Sequence, residues 1–89
     1  MKYTKEYCKK NNIVVHLEGK FHLAKEVDKY MEIDHSYLYK GNNYGDETCI
    51  NAFDLCHCSK TFYESRSEYT IVGIHEFLAD IKKFNYVLY

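Results

Sequence analysis

The chain has 89 residues, 12 Lys and Arg against 13 Asp and Glu for a formal charge of −1, and 46% hydrophobic and 17% aromatic residues. This balance excludes a disordered segment, a collagen repeat and a bare coiled coil, and the length fits a single domain over residues 1–89. The longest aliphatic run, Ile13-Val14-Val15, falls far short of the roughly 20 apolar residues that a membrane helix requires, so no membrane partner is expected.

In chain order, Thr4 predicts an N-cap for a short helix over Lys5–Asn11, with Glu6 in the first turn where the helix dipole favours an acid. Ile13–Leu17 is β-rich, and Glu18-Gly19-Lys20 then predicts a three-residue hairpin loop leading into a second strand at Phe21–Leu23. Ala24, Val27, Tyr30 and Met31 form one apolar stripe at helical spacing, flanked by Lys25, Glu26, Asp28, Lys29 and Glu32, which predicts an amphipathic helix. Tyr37-Leu38-Tyr39 suits a strand, and Gly41-Asn42-Asn43 a turn.

Asp46 is placed as an N-cap for a helix carrying Cys49, Ile50, Phe53 and Cys56, although residues 53–58 would also serve as a strand. A strand is expected over Glu68–Val72, ended by Gly73. Ile74, Phe77, Leu78, Ile81 and Phe84 then mark the clearest helix of the chain, with Lys82 and Lys83 near its C-terminus. Tyr86–Tyr89 is expected to close the domain as an edge strand. The sum is an α+β fold: a small antiparallel sheet with two or three helices packed on one face.

The N-terminal residues carry mixed charge and no apolar segment of the kind found in a secretory signal, so the expected setting is cytoplasmic, with Cys8, Cys49, Cys56 and Cys58 reduced. Lysine outnumbers arginine 11 to 1, tyrosine occurs ten times, and proline and tryptophan are absent. That bias follows the codon composition of AT-rich genomes, bacteriophages among them, and points to a phage or other mobile element as the source. Residues 1–45 carry a charge of +2 and residues 46–89 a charge of −3, neither of which is a nucleic-acid footprint.

Cys49, Cys56, His57 and Cys58 form a C-x6-C-H-C cluster, with His35 or His75 available as a further ligand. The cluster lacks the tight C-x2–4-C turn that aims two sulfurs at one zinc ion, so buried cysteines are expected, with neither metal nor cofactor; a zinc-stabilised module is the alternative. The hairpin reading would place His16 opposite His22, a second pair able to share a metal or a proton. No phosphate-binding glycine loop, paired carboxylate or H-E-x-x-H motif is present. His57 adjoins two cysteines in sequence, but neighbours on a strand or helix point in different directions, so no enzyme is expected.

Segment 23–40, with Leu23-Ala24 and Val27 inward on a first helix and Leu38 inward on a second, resembles a helix-turn-helix. The resemblance implies a DNA-binding regulator, against which stand Glu26, Asp28, Glu32 and Asp34 in the same segment, four acids that would repel phosphates. Fifteen Tyr and Phe exceed what one small core can enclose. Exposed tyrosine gives a large contact area at low entropic cost, so Tyr37, Tyr39 and Tyr44, with Asp46 and Glu47 supplying polar selectivity, are the expected partner-binding residues. The sequence therefore predicts a small interaction protein that binds a protein partner and inhibits or redirects it.

Overall fold

The computed structural model describes residues 1–41 and 43–87, the side chains of 39, 40 and 83–87 excepted. The first helix, α1 (Lys5–Lys10), starts where expected: Thr4 Oγ1 accepts the Tyr7 N–H at 3.1 Å, filling one of the donors that a helix start leaves open. Asn12, at φ 48°, turns the chain into strand β1 (Ile13–His16). The left-handed Glu18 and Gly19 then send it away from the sheet. Phe21–Leu23 is therefore a 3-10 turn that leads directly into helix α2 (Ala24–Met31), and the expected hairpin does not form. The strands that flank β1 come from far along the chain.

Those strands are β2 (Thr48–Asn51) and β4 (Thr70–Gly73). Val14 faces Asn51 in the antiparallel β1–β2 pair and Ile71 in the parallel β1–β4 pair. Strand β3 (His57–Ser59) pairs antiparallel with β2, and the order is β3-β2-β1-β4. The α+β class is as expected, but the sheet is mixed, because β4 returns alongside β1 in the same direction after a long connection. Residues 48–58 form this β2–β3 hairpin where a helix was predicted. Ser59 then caps a short helix, α3 (Lys60–Glu64), by accepting the Phe62 N–H at 3.1 Å. Helix α4 (Ile74–Val87) follows β4 without a break, so Tyr86 and Val87 continue a helix and do not form an edge strand; Leu88 and Tyr89 lie outside the described residues.

Period-two alternation divides the sheet between two cores. Ile13, Val15, Ile50 and Val72 face α1, α2 and α4 and meet Phe77, Leu17 and Val27 in the larger core. Val14 and Cys49 face the other way, onto Tyr63 of α3, with Cys58, Tyr69 and Ile71 packed against them. Helices thus cover both faces, not one. This accounts for the unbroken apolar run in β1, a central strand buried on each side. On the second face Tyr63 donates its hydroxyl hydrogen to the buried Asn51 Oδ1.

Candidate functional site

Glu32, left-handed at φ 61°, ends α2, and Ser36–Lys40 forms a 3-10 helix where a strand was read, closed by the left-handed Gly41. Two side chains at its start grip the β2–β3 turn. His35, 2% exposed, places Nδ1 2.6 Å from Asp28 Oδ1 and Nε2 2.8 Å from the Asp54 carbonyl, and its own N–H donates to Asp28 Oδ2 at 2.7 Å. Tyr37 donates its hydroxyl hydrogen to the Leu55 carbonyl and lies 2.9 Å from His57 Nδ1. Asp54 Oδ1 accepts the Cys56 N–H at 2.9 Å, a local bond that tightens the turn.

With its carbonyls held from within, the turn points Leu55 outward, 58% exposed. On one side of it Tyr37, Tyr44 and His57 gather, the two tyrosine rings lying 5.2 and 5.6 Å from the imidazole, in an open concavity of ≈ 400 Å³ shared with Gly41 and Asn43. On the other side Ile33, Phe53 and Leu55 floor a second concavity of ≈ 590 Å³, bordered by Glu32, Asp34 and Asp54. Leu55 and Cys56 line the second concavity, and the next residue along the chain, His57, lines the first. Burial, followed by the negative groups nearby, pushes the Tyr37 hydroxyl above its ordinary pKa, and a hydrogen bond with the Cys58 side chain does the same for Tyr44. Both hydroxyls are therefore hydrogen-bond donors at neutral pH.

Of the five residues expected to bind a partner, the structure brings together Tyr37 and Tyr44. The Tyr39 side chain lies outside the described residues. The two carboxylates turn away from the tyrosines: a Cβ placed on Gly19 would lie 2.5 Å from Asp46 Oδ1, and Glu47 Oε1 accepts the Thr61 hydroxyl at 2.7 Å. These bonds to Thr61 hold the Glu47 carboxyl below its usual pKa. Asp34 and Asp54 supply the acidic border instead. Leu55, Phe53 and His57 were missed because they reach this surface only through a hairpin that the helical reading of 48–58 conceals.

The cysteine and histidine clusters do not converge. Cys58 points to the α3 face, and its neighbour His57 points to the opposite one. Cys56 is exposed in the turn, and both ring nitrogens of His35 are engaged. Among the described residues no three His, Cys, Asp or Glu side chains are grouped to hold a metal. His16, whose Nε2 lies 2.8 Å from the Asp46 carbonyl, is not paired across a hairpin with His22. In segment 23–40 the element that follows α2 is a five-residue 3-10 helix, so the second helix of a helix-turn-helix is not formed. No helix among the described residues is long and apolar enough to cross a membrane. The chain matches no protein-family model, no curated protein and no solved structure.

Proposed function

We propose that the protein is a small non-catalytic binding domain, working in the cytoplasm and encoded by a phage or other mobile element, that docks a protein partner and so blocks or redirects it. The docking surface is the ridge of Tyr44, His57, Tyr37 and Leu55, continued by Phe53 and Ile33. The observation that carries this reading is the outward placement of two large side chains on held segments: Leu55, 58% exposed, on a turn whose carbonyls are bonded to His35 and Tyr37, and Tyr44, 50% exposed, whose N–H donates to the buried Thr48 Oγ1 at 2.7 Å. Large apolar side chains presented by a rigid frame lose little entropy on binding, and a central aromatic group with a polar border is the usual anatomy of a binding hot spot. Asp34 and Asp54 on that border favour a partner face with Lys or Arg around an apolar centre.

The test is affinity capture from host extract with the wild type and with a Tyr44→Ala/Leu55→Ala variant, followed by calorimetry with the purified partner. Both side chains are largely exposed, so the variant keeps its far-UV circular dichroism. Loss of about 2–4 kcal/mol of binding energy is expected for truncating two hot-spot residues. A partner that binds the folded variant with unchanged affinity refutes the assignment. Salt-dependent retention on duplex DNA, with a steep loss of affinity as salt rises, would instead favour a DNA-binding regulator.

A further inference from the structure

The β2–β3 register sets Cys49 directly opposite Cys58. The Asn51 N–H donates to the Cys56 carbonyl at 3.0 Å, and by alternation along an antiparallel ladder Cys49 and Cys58 are a hydrogen-bonded pair too. Cα atoms in such pairs lie about 5.5 Å apart, inside the range of about 4.4–6.8 Å that a disulfide spans. Their Cβ atoms, toward the wide end of about 4.5–5.5 Å, exceed the separation of about 3.5–4.5 Å in a bridge, so closure must draw the edge strand β3 toward β2. Both side chains leave the sheet on the same face and belong to the same small cluster around Val14 and Tyr63. The two differ in access: Cys49 is fully buried, whereas Cys58 is half-buried on the edge strand of the sheet. Neither Cys8, buried on the other side of the sheet, nor Cys56, exposed in the turn, shares this arrangement.

We propose that Cys49 and Cys58 are a built-in thiol pair that closes to a cross-strand disulfide when the protein meets a hydroperoxide. The half-exposed Cys58 sulfur attacks one peroxide oxygen, the O–O bond breaks, and Cys58 becomes a sulfenic acid with release of water (or an alcohol from an organic peroxide). Cys49 Sγ then attacks the Cys58 sulfur, the S–O bond breaks, and the Cys49 proton leaves with the hydroxyl as a second water. Two thiols lose two electrons and the peroxide gains them. Burial pushes the Cys49 thiol up to about 12, which keeps it protonated and leaves the first encounter with peroxide to the half-exposed Cys58. In the reduced protein Cys49 Sγ–H points to the Glu47 carbonyl, 3.7 Å away, and the Cys58 side chain meets the Tyr44 hydroxyl, so closure rotates both thiols. Closure thereby withdraws Cys58 from Tyr44. The cross-link stands on strand register alone and does not depend on the partner-binding reading.

The test treats the reduced 89-residue chain with hydrogen peroxide under native conditions and counts free thiols after denaturation. The four thiols should fall to two, in a monomer lighter by two hydrogens whose cross-linked peptides contain Cys49 and Cys58. Far-UV circular dichroism should be unchanged, dithiothreitol should restore all four thiols, and a Cys56→Ser variant should form the same link, its three thiols falling to one. A Cys56–Cys58 link, a disulfide between two chains, conversion of Cys58 to the sulfinic acid with Cys49 still reduced, or thiol loss only on unfolding would each overturn the proposal.

Discussion

Replacing His35 by alanine tests whether the exposed turn is held from within the fold. The side chain makes two hydrogen bonds, one to the Asp28 carboxylate at 2.6 Å and one to the Asp54 carbonyl at 2.8 Å, while the backbone N–H bond to Asp28 survives the substitution. A bond to a charged group contributes about 1.5–3 kcal/mol and a neutral one about 1, and Asp54 is open enough for water to replace its lost donor, so the expected loss is about 3 kcal/mol. Against a total of roughly 5–13 kcal/mol for a domain of this size, that is a large fraction, and it lowers the melting midpoint by about 12–24 °C. Urea unfolding followed by far-UV circular dichroism measures it, with an unchanged slope showing that both states keep their compactness. Combined with Asp28→Asn, the double variant should lose less than the sum of the single ones, with a coupling of about 1–2 kcal/mol. Hydrogen exchange should quicken at Leu55 and Cys56 before it does in β1. A loss below about 1 kcal/mol, or strict additivity, would show that His35 is filler in the core and that the turn holds its own shape.

The N-terminal segment offers a pH-dependent test. Asp80 of α4 accepts the N–H groups of Lys2 and Tyr3 at 2.9 Å, and these bonds outweigh partial burial and hold its carboxyl below the usual pKa of 3.8. The stabilisation is full above that value and disappears as pH falls through the lower folded one, so Asp80→Ala should be less stable than the wild type near neutrality and converge with it once the pH has fallen below the folded value, in acid titrations of urea stability. Tyr63→Phe leaves the buried Asn51 Oδ1 without its partner and should cost about 1–3 kcal/mol in the same assay, where a neutral result would refute the pairing. Glu32→Gly relieves a left-handed backbone and gives up only a surface pair with Lys5, so it should stabilise by about 0.5–1 kcal/mol; destabilisation would show that the ion pair dominates. Gly19→Ala should destabilise by about 1–2 kcal/mol, through its φ of 76° and the Asp46 carboxylate in its path.

What could be read along the chain was the local chemistry. Thr4 announced α1 through a single hydroxyl, and the stripes Ala24–Met31 and Ile74–Ile81 announced α2 and α4 through a period that only a helix buries on one side. Where contacts are non-local, the pattern gave no warning. Phe21–Leu23 has the apolar content of a hairpin partner for β1, yet β1 is already paired on both edges by strands that follow it by more than thirty residues. Thr48–Asn51 is buried throughout, so the alternation that betrays a half-exposed strand is missing, and Cys49, Ile50, Phe53 and Cys56 fall by coincidence at helical spacing. The local signals that contradict a helix there are the Asp54 turn and the Ser59 cap, which require the chain to stop and restart between 52 and 60.

The same limit governs the candidate surface. Tyr37 and Tyr44 were legible because tyrosine in excess of core volume must be exposed somewhere, a statement about composition. Which groups join them depends on the hairpin: register delivers His57 to the tyrosine side and Cys58 to the α3 side, and the turn between the strands delivers Leu55. A displacement of β3 by one residue along β2 would exchange the faces of His57 and Cys58, removing the imidazole from between Tyr37 and Tyr44 and separating Cys58 from Cys49. The bonds from His35 to the Asp54 carbonyl and from Tyr37 to the Leu55 carbonyl oppose that slip, because both acceptors lie in the turn that sets the register. His35 and Tyr37 therefore act on the surface and on the thiol pair together, although neither touches Cys49. A His35→Ala chain that still folds should accordingly close the Cys49–Cys58 link several-fold more slowly under hydrogen peroxide; an unchanged rate would mean that the β2–β3 ladder keeps its register unaided.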